Sequence, residues 1–133
     1  MENILILGGI PEDEEREKLY KAIVSFCAKF SENISSPIDT AAFKGGESER
    51  YARAFEKVKE ASLIIGEHSF PSTGQGMELR EAAILGKPVI VVAKAKSKVS
   101  GLVRACPVVK EIIFYRNLED LNEKLEIAFA KFF

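Results

Sequence analysis

The residues best suited to chemistry lie between His68 and Glu78, where Pro71-Ser72-Thr73-Gly74-Gln75-Gly76 joins the apolar run Leu63-Ile64-Ile65 to a helical pattern. Glycine lets a ligand approach the backbone closely, and the first amides of a helix lack intrahelical acceptors, so such a turn suits an anion such as phosphate. Ser72 and Thr73 add hydroxyl donors. Any tight strand-to-helix connection has the same look, so spacing alone leaves a plain turn and an anion site equally open. Glu78 falls in the first turn of a helix read from Met77 to Leu85, near where a sugar on the bound phosphate would lie. The helix dipole favours its ionised form there. An ionised carboxylate is what a nucleophile or an electrostatic stabiliser must be when positive charge builds on a sugar. A glutamate in that position also serves helix stability alone. Gly8-Gly9 ends another apolar run, Ile4-Leu5-Ile6-Leu7, and is the second glycine-marked exit from a strand. His68, the single histidine, and Glu67 stand beside the first loop, with no second ligand at metal spacing. Neither a metal nor a cofactor is expected.

The elements that must position these residues are legible as alternating patterns. Continuous apolar runs at Ile4 to Leu7, Leu63 to Ile65, Val89 to Val92 and Ile112 to Phe114 mark strands covered on both faces, and a weaker strand is read over Asn33 to Ile38. Helical spacing connects Leu19, Ile23, Phe26, Cys27 and Phe30, then Tyr51, Phe55, Val58 and Ala61. The helix from Met77 stops at Gly86, with Pro88 beyond; a short helix is read over Lys98 to Ala105, and the last runs from an Asn117 cap to Phe132. Strand and helix alternate five times. The pattern predicts a single α/β domain over residues 1–133, a doubly wound, flavodoxin- or Rossmann-like sheet of five parallel strands in the order 2-1-3-4-5. At that switch point the first and third strands are neighbours, so both glycine loops should face one crevice.

Composition narrows the partners. Nineteen basic against twenty acidic residues leave a formal net charge of −1, with no overall field to hold a nucleic-acid polymer. The charge run Glu12 to Arg16 reads as a solvated first helical turn. Cys27 and Cys106 lack metal spacing and read as packing residues, and no stretch approaches the ~20 apolar residues that span a bilayer, so a cytoplasmic protein without a membrane partner is expected.

The stretch Ser69-Phe70-Pro71-Ser72-Thr73-Gly74-Gln75-Gly76-Met77-Glu78-Leu79, followed by Ala83 and Leu85-Gly86-Lys87, resembles the signature of the nucleoside 2-deoxyribosyltransferase superfamily, and within it the 2′-deoxynucleoside 5′-monophosphate N-glycosidase branch. The resemblance runs from Ile4 to near Tyr115 and is specific from Pro71 to Glu78. It implies hydrolysis of the base–sugar bond of deoxynucleoside 5′-monophosphates, with Glu78 as nucleophile. Base exchange and a nucleotide-binding module without turnover are the alternatives. It further implies that Ser72 holds phosphate with Gly74 and Gly76 as backbone donors, that Gly8, Gly9 and Ile10 line the nucleotide, and that a second copy supplies Ser100, making a homodimer with shared sites. The family's aspartate in the helix before the third strand falls at Ala54. Its aromatic residue in the first strand is Leu5 here, and its histidine after the second strand is Pro37. Glu49, Arg50, Arg53, Asp39 and Glu67 are the nearby polar groups that a replacement would be drawn from.

Overall fold

The computed structural model describes residues 1–133 as β1 (Asn3–Leu7), α1 (Glu14–Cys27), β2 (Asn33–Ser35), α2 (Pro37–Ala42), α3 (Glu47–Glu60), β3 (Leu63–Glu67), α4 (Thr73–Leu85), β4 (Val89–Lys94), α5 (Gly101–Ala105), β5 (Val109–Tyr115) and α6 (Leu118–Phe132). The strands form one parallel sheet in the order β2-β1-β3-β4-β5, with Leu5 opposite Ser35 on one side and Ile64 on the other. Because side chains alternate across a strand, the continuous apolar runs feed two cores. Ile4, Ile6, Ile65, Ile90 and Val92 face α1 and α6, packing on Leu19, Ile23, Leu121 and Phe129. Leu5, Leu7, Ile64, Val89 and Val91 face the other way, toward Val58, Leu79 and Ala82 of α3 and α4. Each such side chain, fully buried, contributes roughly 1.5–3 kcal/mol. No helix is long and apolar enough to cross a membrane.

Local signals set the ends of the elements. The Asp13 carboxylate accepts from the Arg16 amide at 2.8 Å, so the charge run opens α1. Asn117 caps α6 by accepting from the Asp120 amide at 2.8 Å. Gly86 ends α4 in the left-handed region, φ 68°, where a side chain would be strained.

Three of the boundaries that differ from the sequence reading bear on the site. The second strand stops at Ser35, because Ser36, Pro37 and Asp39 form a capping box that starts α2: Ser36 Oγ accepts from the Ile38 amide at 3.2 Å and Asp39 accepts from the Ser36 amide at 2.8 Å. The helix placed at Lys98 begins only at Gly101, with Ser100 as its cap. Finally, α4 starts at Thr73 and not at Met77, because Ser72 caps it and two glycines do not suffice to keep the chain out of the helix.

Candidate functional site

The carboxyl end of β1, the β2–α2 turn and the facing sides of α3 and α4 enclose a cavity of about 100 Å³, room for one base-sized ring. Its walls include Leu5 and Leu7 of β1 with Gly8 just past it, Pro37, Asp39 and Phe43 from the α2 region, Arg50, Arg53, Ala54 and Lys57 from α3, and Glu78 from α4. The earlier α4 start moves Glu78 into the second helical turn, correcting its placement in the first. That changes its electrostatics. The dipole fades within the first turn, whereas the half-buried carboxyl loses water, and burial pushes its pKa up to about 7. The side chain still leans toward the helix start, as helical side chains do: a Cβ on Gly74 would lie 4.0 Å from Glu78 Oε1.

At that helix start, Ser72 Oγ accepts from the Gln75 amide at 3.2 Å, leaving the hydroxyl proton free to point outward. The Thr73 and Gly74 amides meet no acceptor in the chain, while the Gly76 amide is already spent on the Ser72 carbonyl at 3.3 Å. Only Gly74 of the two glycines therefore offers an open donor, a correction to the pair inferred from the motif. Gln75 fixes the turn. Its side chain is buried and donates from Nε2 to the Glu67 carbonyl at 2.7 Å, tying the start of α4 to the end of β3.

The two glycine loops do meet. A Cβ on Gly9 would lie 3.6 Å from the Phe70 carbonyl, and the Gly9 carbonyl accepts from the Tyr20 hydroxyl at 2.6 Å, with Ile10 exposed beside it. They do not, however, open onto one hollow. Gly8 and Glu78 share the cavity, whereas Ser72, Gly76 and Ser100 line a separate groove of about 850 Å³ between α4 and α5. The start of α4 contributes to both, Glu78 to the cavity and the Ser72 cap with Gly76 to the groove.

Of the groups considered as replacements for the missing aspartate, Asp39, Arg50 and Arg53 reach the cavity, and Ala54 does line it opposite Glu78's helix. Asp39 is held by the α2 capping box, and Arg50 donates to the Thr40 and Phe43 carbonyls at 3.3 and 2.8 Å. Glu67 is elsewhere: fully buried, it accepts from the Tyr115 hydroxyl at 2.6 Å and from the Ser69 amide, and burial raises its pKa despite those bonds. His68 is buried on the groove side, and loss of water lowers its pKa. Lys57 was not foreseen as a site residue. Its signal was present in the sequence, since Arg50, Arg53 and Lys57 recur at three- and four-residue steps and so share one helix face.

No family model matches the chain. A Syntrophotalea carbinolica protein named as a 2′-deoxynucleoside 5′-phosphate N-hydrolase is 30% identical over 135 aligned positions, covering 96% of this chain and 94% of that one. The 5-hydroxymethyl-dUMP N-hydrolase of Mus musculus is 26% identical over 102 residues; the match takes in 71% of this chain but only 59% of the mouse protein's length. Among solved structures, the CMP N-glycosidase of Clostridium botulinum superposes with a TM-score of 0.74 at 19% identity, covering 95% of this chain and 98% of that one, which establishes a shared fold.

Proposed function

Since the chain belongs to the 2′-deoxynucleoside 5′-phosphate N-hydrolase family, we propose that residues 1–133 form a single catalytic domain that hydrolyses the base–sugar bond of deoxynucleoside 5′-monophosphates, with Glu78 as nucleophile. The observation that carries this reading is the position of Glu78: a half-buried carboxyl on the wall of a base-sized cavity, within a helical turn of amides that lack acceptors. The Ser72 hydroxyl and the Thr73 and Gly74 amides hold the phosphate at the start of α4. Gly8, Gly9 and Ile10 line the nucleotide from the first loop, and the base enters the cavity beside Glu78. The carboxylate then attacks the anomeric carbon, the base leaves, and water resolves the glycosyl ester.

A second copy completes the site by bringing Ser100 to the phosphate. Supporting this, the groove that holds Ser72, Gly76 and Ser100 is also lined by Leu102, a large apolar side chain that is 86% accessible. The protein works as a homodimer on free nucleotides in the cytoplasm, and sedimentation of the protein beside Leu102→Glu checks the assembly. A nucleotide-binding module without turnover is the second reading, favoured by the methyl group of Ala54 where a carboxyl would assist departure of the base. One assay separates the two. Incubation with the four deoxynucleoside monophosphates is expected to release free base, lost in Glu78→Gln. Binding of a monophosphate with no release from any of them would establish the second reading.

A further inference from the structure

Two of the cavity's cations, Arg53 and Lys57, have no carboxylate partner within the chain. Arg53 and Lys57 enter no ion pair and donate no side-chain hydrogen bond, and burial is the one influence that displaces the Glu78 carboxyl. Arg53 is exposed and lies over the Phe43 ring, 4.8 Å from its centre. Lys57 is half-buried and one turn beyond Ala54 on α3. Helical side chains lean toward the start of their helix, here the direction of Ala54, and both Lys57 and Ala54 line the cavity. Glu32 and Glu60 border the hollow on the far side of Lys57, and neither pairs with it. A cation with no carboxylate partner thus shares the wall of one cavity with the nucleophile.

We propose that Lys57 is the group that stabilises the leaving base, by hydrogen bonding from its ammonium to a carbonyl oxygen adjacent to the glycosidic nitrogen, and that the enzyme therefore prefers pyrimidine over adenine monophosphates. The inference rests on the hydrolase reading above. As a Glu78 oxygen bonds to the anomeric carbon, the carbon–nitrogen bond breaks and its electron pair passes to the base, spreading onto that carbonyl oxygen. Lys57 meets the charge there without giving up its proton. The base anion takes a proton from water as it is released, and the water that cleaves the glycosyl ester returns one proton, so the two steps balance. Adenine has no such carbonyl and gains nothing from an ammonium at this place.

The test compares wild-type protein, Lys57→Met and Lys57→Arg on deoxyuridine monophosphate, deoxyadenosine monophosphate and a deoxyribose 5-phosphate carrying p-nitrophenolate, a leaving group that needs no help. Lys57→Met is expected to lose about 10²-fold in uracil release, the scale of removing one donor to a developing oxyanion, to keep nitrophenolate release within about threefold, and to lose the wild-type preference for uracil over adenine. Lys57→Arg should recover part of the uracil rate. Parallel losses on uracil and nitrophenolate, or no loss on either, would overturn the assignment. Wild-type release of nitrophenolate but not of uracil would also overturn it while leaving Glu78 as nucleophile; release of neither would overturn the hydrolase reading and the assignment with it.

Discussion

Glu78→Gln should make the fold more stable, and only above a definite pH. The substitution keeps the shape of the side chain and removes the charge that burial disfavours. In the unfolded chain the carboxyl ionises near the ordinary 4.5, and in the fold it ionises at about 7. Between those values the folded state binds more protons than the unfolded one, so wild-type stability falls as pH rises through this window. Below 4.5 both states are protonated and the residue has no effect; above 7 the fold bears the whole cost of an ionised, half-buried carboxylate. At about 1.4 kcal/mol per pH unit, the gap corresponds to about 3 kcal/mol. For a chain of this size that is about 10 °C in Tm. Thermal and urea unfolding of both proteins should therefore coincide at pH 4 and separate progressively to pH 8, with the glutamine variant the more stable. The other titrating groups are common to the two and cancel in the difference. A glutamine variant equal to or less stable than wild type at pH 8, or a gap that does not change with pH, would refute the electrostatic reasoning.

The same ionisation governs turnover: kcat/KM for base release should rise with pH and reach half its plateau near 7, as a nucleophile that works only when ionised requires. Gly8→Ala should cost about 1–3 kcal/mol in urea unfolding, because the new methyl group collides with the hydroxyl and ring of Tyr20. Gly76→Ala, with nothing within 4 Å of its new Cβ, should add about 0.5–1 kcal/mol to stability while weakening dimerisation and base release, separating its helix cost from its place on the groove. Tyr115→Phe should lose about 1–3 kcal/mol by taking the hydroxyl from buried Glu67, and the loss should be larger at pH 8 than at pH 5, since the hydrogen bond favours the ionised carboxylate. Both are read from denaturant midpoints.

The fold was legible because its signals were redundant. Ile4 to Leu7 and Val89 to Val92 read as doubly covered strands, and the alternation with amphipathic helices left one strand order favoured; the observed sheet has it. What the sequence obscured was local competition. Ser36, Pro37 and Asp39 together signal a helix start, but Ile34 and Ile38 read more loudly as strand, so α2 was missed. Gly74 and Gly76 argued for loop, yet the Ser72 cap and the buried Gln75 anchor draw Thr73 to Gly76 into α4. That single shift moves Glu78 a turn away from the free amides and reverses the balance between dipole and burial. Gln75 carried no motif signal, because only the folded chain brings its amide to the Glu67 carbonyl. The cavity wall was partly visible: Ala54 lines it at the position the family resemblance pointed to, and Arg50 and Arg53 line it too, while Lys57, one step further along the same helix face, was passed over.

The account stands on Glu78 forming a covalent bond to the sugar, and stereochemistry reads that step without reference to rates. With methanol present as acceptor, the product methyl deoxyribofuranoside 5-phosphate reports the face of attack by proton NMR. Two displacements, the first by Glu78, give the β anomer, with the configuration of the substrate retained. The α anomer would mean direct attack by solvent, and would remove Glu78 from the role assigned to it.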